Sequence, residues 1–205
     1  MSKTLLVDFG MGNLGSVKRA FEECGADLFI SDNPADCVRA DHIVLPGVGA
    51  FADGMVALTD GGWVDVLRTA AQEDKIPLLG ICLGMQLLAN RGLEGRETAG
   101  LGLISGEVRR LVADRPETLI PHVGWNEVHH GGAHPLFSGI PTGTDFYFVH
   151  SYHFVPGNAE DALASTPYCG SFVSAVGRGT VCGTQFHPEK SSRAGFQLLR
   201  NFLAL

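Results

Sequence analysis

The chain lacks what a membrane, a nucleic acid or an oxidising compartment would call for. No apolar stretch approaches the roughly 18 residues of a membrane-spanning helix. Acidic residues outnumber basic ones, 22 to 15, for a formal net charge of −7, and no cluster of about five lysines and arginines occurs. Nucleic-acid affinity comes largely from phosphate neutralisation, so a nucleic-acid partner is excluded. Charged residues are only 18% and hydrophobic ones 45%, the reverse of what disorder requires. The five cysteines (Cys24, Cys37, Cys82, Cys169, Cys182) are odd in number and form no C-x-x-C. That argues against a disulfide framework and a zinc cluster, and for a reducing compartment. At the N-terminus Asp8 follows only three apolar residues, too few for the core of a signal peptide. A cytoplasmic protein, with no membrane and no nucleic acid among its partners, is expected.

A length of 205 residues fits one domain spanning residues 1–205. The first half alternates strand and helix patterns. Thr4–Val7, Leu28–Ile30, Ile43–Leu45 and Ile76–Ile81 are short apolar strands. Leu14–Cys24, Trp63–Ala71 and Met85–Ala89 carry apolar residues at helical spacing. The second half holds strand-like runs at Gly106–Leu111, Asn126–Val128, Phe146–Val149, Phe172–Val176 and Val181–Phe186, then a helix at Ser192–Leu203. The pattern predicts an α/β fold: a mainly parallel central sheet flanked by helices, with an additional antiparallel or mixed β section in the second half.

Gly10-Met11-Gly12-Asn13-Leu14-Gly15 matches G-x-G-x-x-G between a strand and a helix, with Asp32 after the next strand. This spacing could hold a dinucleotide, or it could be a tight turn that needs glycine. A non-catalytic nucleotide-binding module using Gly10–Gly15 is therefore one reading.

A second constellation carries chemistry. Gly80-Ile81-Cys82-Leu83-Gly84 follows a strand and opens a helix, with the G-x-nucleophile-x-G spacing of a nucleophile elbow. A helix start would favour thiolate at Cys82, and the Leu83 N–H could donate to an oxyanion. Gln86, four residues on, shares the Cys82 face. The other four cysteines are expected to be small buried hydrophobes. In Phe186-His187-Pro188-Glu189, proline forces His187 into extended backbone. Residues two apart then share a side, which pairs His187 with Glu189 as base and orienting carboxylate. Pro46-Gly47-Val48-Gly49 after a strand could be an ordinary turn, or could offer backbone N–H groups to an oxyanion. His129, His130 and His134 could hold a metal by spacing, but they lie in a turn-like segment without a convergent acid or cysteine. No metal site is assigned.

The elbow, with His187-Pro188-Glu189 far downstream, resembles the class I (triad-type) glutamine amidotransferases. Val7–Ser16, Leu45–Phe51, Pro121–Asn126 and Phe146–Tyr152 narrow the likeness to members acting as a separate glutaminase subunit in histidine biosynthesis. The likeness spans residues 4–203 and implies a flavodoxin-like architecture without a cofactor. It implies that Cys82 attacks glutamine, His187 relays protons and Glu189 orients His187. It implies oxyanion donors at Leu83 and near Val48 and Gly49, the second misaligned until a partner is loaded. Gln86, Glu94 and His150, Ser151 and Tyr152 would hold the amino-acid end of glutamine. Gly10, Met11, Asn13, Trp125 and Tyr147 would face a (βα)8-barrel cyclase subunit in a heterodimer. For Trp125, core packing is the competing reading. A stand-alone thiol hydrolase of γ-glutamyl amides is the enzymatic rival.

Overall fold

Leu5 and Val7 point to one side of their strand and Leu6 to the other, and all three are fully buried. Ile43 and Leu45 alternate with Val44 in the same way. Strands that are apolar on both faces need helices on both faces, and the computed structural model, described for residues 2–205, supplies them.

The first half comprises β1 (Lys3–Val7), α1 (Leu14–Glu23), β2 (Asp27–Ser31), β3 (His42–Leu45), α2 (Phe51–Asp60), α3 (Trp63–Gln72), β4 (Leu78–Ile81) and α4 (Leu83–Leu87). Then come β5 (Arg91–Gly92), β6 (Thr98–Ala99), β7 (Gly106–Arg110), β8 (His122–His130), β9 (Thr144–His150) and β10 (Tyr152–Pro156). The chain continues through β11 (Ala162–Thr166), β12 (Phe172–Arg178) and β13 (Val181–Thr184) to α5 (Ser192–Leu203).

One sheet runs in the order β2-β1-β3-β4-β13-β12-β10-β7-β5-β6. Its β2-β1-β3-β4-β13 portion is parallel, and β12, β10 and β7 continue it antiparallel. Strands β8 and β9 pair antiparallel, with His122 opposite His150 and Trp125 opposite Tyr147. Helices α2 and α3 cover one face through Phe51, Leu58, Trp63 and Leu67. Helices α1 and α5 cover the other through Val17, Phe21, Leu198 and Phe202.

The expected fold class is observed, with differences at element scale. Helix α2 is not among the expected elements, and Gly54 lowers its local helix propensity. Its buried residues Phe51, Gly54, Met55 and Leu58 nevertheless keep helical spacing. A Cβ on Gly54 would lie 3.2 Å from Leu87, so the glycine lets α2 approach α4. Strand β8 runs well beyond Asn126–Val128 because it alternates exposed and covered residues along its length. Helix α4 starts at Leu83, directly after the elbow cysteine, and ends at Leu87 rather than Ala89.

Candidate active site

Strands β4 and β13 end side by side, Thr184 opposite Ile81, and the chain turns sharply after each. At the first turn Cys82 adopts φ 55°, ψ −109°, a conformation a non-glycine residue holds only under constraint from its surroundings. Its N–H donates to the Thr184 carbonyl at 2.7 Å. A Cβ on Gly84 would stand 1.8 Å from the Leu45 carbonyl oxygen, and one on Gly80 2.6 Å from that of Gly84. Both flanking glycines are thus required by close backbone approach. Because α4 has one and a half turns, individual N–H groups matter at the sulfur more than any macrodipole.

The second turn carries His187, extended at φ −99°, ψ 94° as its proline dictates. Its Nδ1 lies 2.8 Å from Glu189 Oε1, with both side chains almost wholly buried. Nε2 is buried without a hydrogen bond. Burial opposes a charge on this ring, but Cys82 and then Glu189 outweigh it and push the pKa up to about 10. Both partners thus favour the charged form of the ring beside the sulfur.

Cys82 and His187 open onto one cleft of about 380 Å³, together with Val48, Gly49, Leu83, Gln86, Glu94, His150, Ser151 and Tyr152. Glu189 stands behind His187. A shallow groove of about 440 Å³ between residues 114–119 and 167–170 holds no nucleophile–base pair. Gln86 Nε2 donates to the Tyr152 carbonyl at 3.0 Å and to Gln185 Oε1 at 2.9 Å. Gln185 Nε2 in turn points at the Cys82 sulfur, 3.7 Å away. Gln185 was not singled out, although the two-residue alternation that pairs His187 with Glu189 also puts Gln185 on that side. Glu94 accepts the Phe51 N–H at 2.8 Å, so one of its oxygens caps α2 while the residue borders the cleft.

The expected oxyanion donors are bonded within the protein. The Leu83 N–H is taken by the Gly47 carbonyl at 3.3 Å, and the Val48 N–H by the Met11 carbonyl at 3.1 Å. Gly49, at φ 111°, keeps the next peptide in a glycine-only conformation. In this conformation the two best-placed donors are engaged within the protein.

The Gly10–Gly15 loop packs against this segment: a Cβ on Gly12 would lie 3.2 Å from Pro46. Asn13 is exposed and makes no capping bond to α1. Trp125 is 54% exposed, which overturns the core reading, and its ring stands 6.1 Å from that of Tyr147. Lys190 Nζ lies 5.7 Å from the Tyr147 ring centroid. The three clustered histidines serve local structure. His129 bonds Glu127, and His130 and His134 accept the N–H groups of Gly132 and Leu136.

With this geometry in place, comparison with known proteins is direct. The sequence profile of the class-I glutamine amidotransferases matches residues 5–205, and the chain belongs to that family. It is 47% identical to the imidazole glycerol phosphate synthase subunit HisH of Moorella thermoacetica, over 98% of this chain and 94% of that protein. It is 48% identical to the subunit of the same name from Symbiobacterium thermophilum, over 98% and 93%. Among solved structures it resembles PurLQS from Thermotoga maritima, with TM-score 0.76 and 19% identity over 100% of this chain and 99% of that one. A crystal structure of a glutamine amidotransferase gives TM-score 0.76 and 20% identity over 98% and 97%. At these identities the structural likeness speaks for the fold.

Proposed function

We propose that this chain hydrolyses glutamine to glutamate and ammonia, and passes the ammonia to a separate cyclase subunit that makes imidazole glycerol phosphate in histidine biosynthesis. One observation carries the reading. A strained cysteine at a strand–helix turn shares a cleft with a histidine that a buried carboxylate holds in place.

Cys82 Sγ, beside the protonated His187, attacks the amide carbon of the glutamine side chain. The carbonyl π pair moves onto oxygen. Collapse breaks the C–N bond, and His187 gives its proton to the leaving nitrogen, releasing ammonia. The product is a γ-glutamyl thioester. Water then attacks with His187 as base, the C–S bond breaks, and glutamate leaves. Glu189 fixes the Nδ1–H tautomer throughout. Gln86, Glu94 and His150–Tyr152 surround the amino-acid end of the substrate.

Ammonia is mostly ammonium near neutral pH and then a poor nucleophile, so synthesis needs a closed path to an acceptor. The Cys82–His187–Glu189 constellation supports a glutaminase, so we assign the acceptor site to a (βα)8-barrel cyclase bound as a heterodimer. Val48, Val123, Trp125 and Val149 are all exposed, an apolar surface beside the cleft that a partner would cover. The engaged Leu83 and Val48 donors favour a resting state that the partner opens. We read residues 1–205 as one amidotransferase domain and place it in the cytoplasm, where its five free thiols stay reduced.

The test is glutamate release from glutamine, by the chain alone and with a candidate barrel cyclase and its nucleotide ligand. Release should appear with the partner and fall at least about 10³-fold in Cys82→Ala, while synthesis from added ammonia persists. Equal release without a partner would favour the stand-alone hydrolase.

A further inference from the structure

Behind the cleft wall lies a buried histidine, His122, that the chemistry above does not use, paired with His150 of the cleft lining. His122 and His150 face each other across β8 and β9 and are 3% and 6% exposed. His122 Nδ1 lies 3.0 Å from His150 Nε2. His150 Nδ1 lies 2.8 Å from the Tyr152 carbonyl, and His122 Nε2 lies 3.2 Å from Asn126 Nδ2.

The direction of every bond is forced. A carbonyl only accepts, so His150 Nδ1 carries hydrogen. The other nitrogen of a neutral ring then only accepts, so His122 must donate from Nδ1 and accept at Nε2. At the far end Asn126 Oδ1 accepts the Glu127 N–H at 2.9 Å, which independently turns the amide nitrogen toward His122. Both ends demand one polarity: Asn126 to His122 to His150 to Tyr152. An extra proton on either ring would leave two N–H groups facing each other unless the Asn126 amide turned. Burial first, then the nearby rings of His122, His153 and His187, disfavours charge on His150.

The chain ends on the Tyr152 carbonyl, which also accepts from Gln86. Its two lone pairs are thereby both filled, one residue beyond Ser151 of the cleft lining. Resting on the glutamine reading above, we propose that His122, outside the cleft, is a positioning residue for glutamine. Through His150 it sets the Tyr152 peptide and the Ser151 turn that receive the substrate.

Packing is the rival role, since His122 stacks on Tyr168 at 3.9 Å and Phe148 at 4.8 Å between ring centroids. Two variants separate them. His122→Phe keeps a stacking ring and removes both hydrogen bonds. His122→Asn keeps a donor near the Nδ1 position and removes the stacking. Steady-state glutaminase kinetics are measured in the complex with the cyclase, and melting temperature on the same samples. If His122 positions the Ser151 turn, His122→Phe raises the glutamine KM about tenfold, as loss of a buried hydrogen bond would, with kcat within about twofold. His122→Asn then lies nearer wild type in KM although it melts lower. If the ring only packs, His122→Phe keeps the wild-type KM, and the positioning role fails. A wild-type complex that releases no glutamate sinks the glutamine reading as well. Imidazole ¹⁵N spectra of the full chain give an activity-free readout. Both rings should show the Nδ1–H tautomer, and an Nε2–H tautomer at His150 would overturn the proposal.

Discussion

His187 concentrates the electrostatics of the site in one ring. Its charged form is opposed by burial but favoured more strongly by Cys82 and Glu189, which push its pKa up to about 10. A group raised in the folded state adds stability that is fully present below its unfolded pKa, about 6.5, and lost as pH rises through about 10. Glu189→Gln removes one of the two raising partners and leaves the ring in place. Its pKa should fall, and the alkaline limb of the glutaminase pH profile should move to lower pH. Turnover should drop by roughly 10²–10⁴, the scale of losing an orienting carboxylate. A pH–rate profile of the complex checks both, and an unmoved alkaline limb would count against Glu189 as the orienter. His122 has the opposite sign, since burial depresses its pKa to about 4. Its contribution is present above about pH 6.5 and lost as pH falls toward about 4. The melting temperature of the wild-type chain should therefore decline across that window, and His122→Phe, which cannot take the proton, should decline less.

At the scale of an element, the turn bearing His187 is pinned to strand β9 at a single residue. The His187 N–H donates to the Tyr147 carbonyl at 2.9 Å. Ser191 Oγ accepts the Tyr147 N–H at 3.0 Å and donates to the His187 carbonyl at 2.6 Å. Ser191→Ala breaks two of these three links in a site that is 1% exposed. Each should cost about 0.5–1.5 kcal/mol, lowering the melting temperature by several degrees. Because the base loses its anchor rather than the substrate its contacts, kcat should fall several-fold with KM nearly unchanged. A change in KM alone would point elsewhere. Much of this turn was legible beforehand. Proline fixed the extended His187, alternation paired it with Glu189, and the glycines flanking Cys82 announced the elbow. The Ser191 clamp was not legible, nor was the seizure of the Val48 N–H by Met11. Both depend on backbone groups, which every residue carries and no side-chain pattern marks. Helix α2 was hidden by Gly54, a residue chosen for contact with α4 over local propensity. Trp125 was ambiguous because an aromatic in a strand serves core and interface equally well until the pairing of β8 with β9 decides which face it takes.

For the whole molecule, the parallel strands bring Cys82 and His187 to one sheet edge, and the β8–β9 pair extends an apolar face beside it. The same β9 residue, Tyr147, joins the two. Its side chain lies beside Trp125 on the outer face, while its backbone holds the His187 turn. The Gly10–Asn13 loop joins them again from the other side, since the Met11 carbonyl engages the Val48 N–H. A partner seated on this face would touch both connections at once, which ties substrate turnover to assembly without any element spanning the molecule. Trp125 is the residue to remove. At 54% exposure it contributes little to the isolated fold, yet a large aromatic at the centre of an interface commonly carries 1–3 kcal/mol of binding. Trp125→Ala should leave the melting temperature of the isolated chain within about 2 °C and weaken binding to the cyclase by roughly 10- to 100-fold. Titration calorimetry with the cyclase, beside thermal melts of the chain alone, measures both. Unchanged affinity would move the docking surface away from β8 and β9. A large fall in melting temperature would mean that Trp125 supports the fold after all. Weakened binding with an intact fold would place the partner where the cleft, the Tyr147 backbone and the Met11 carbonyl all lie within its reach.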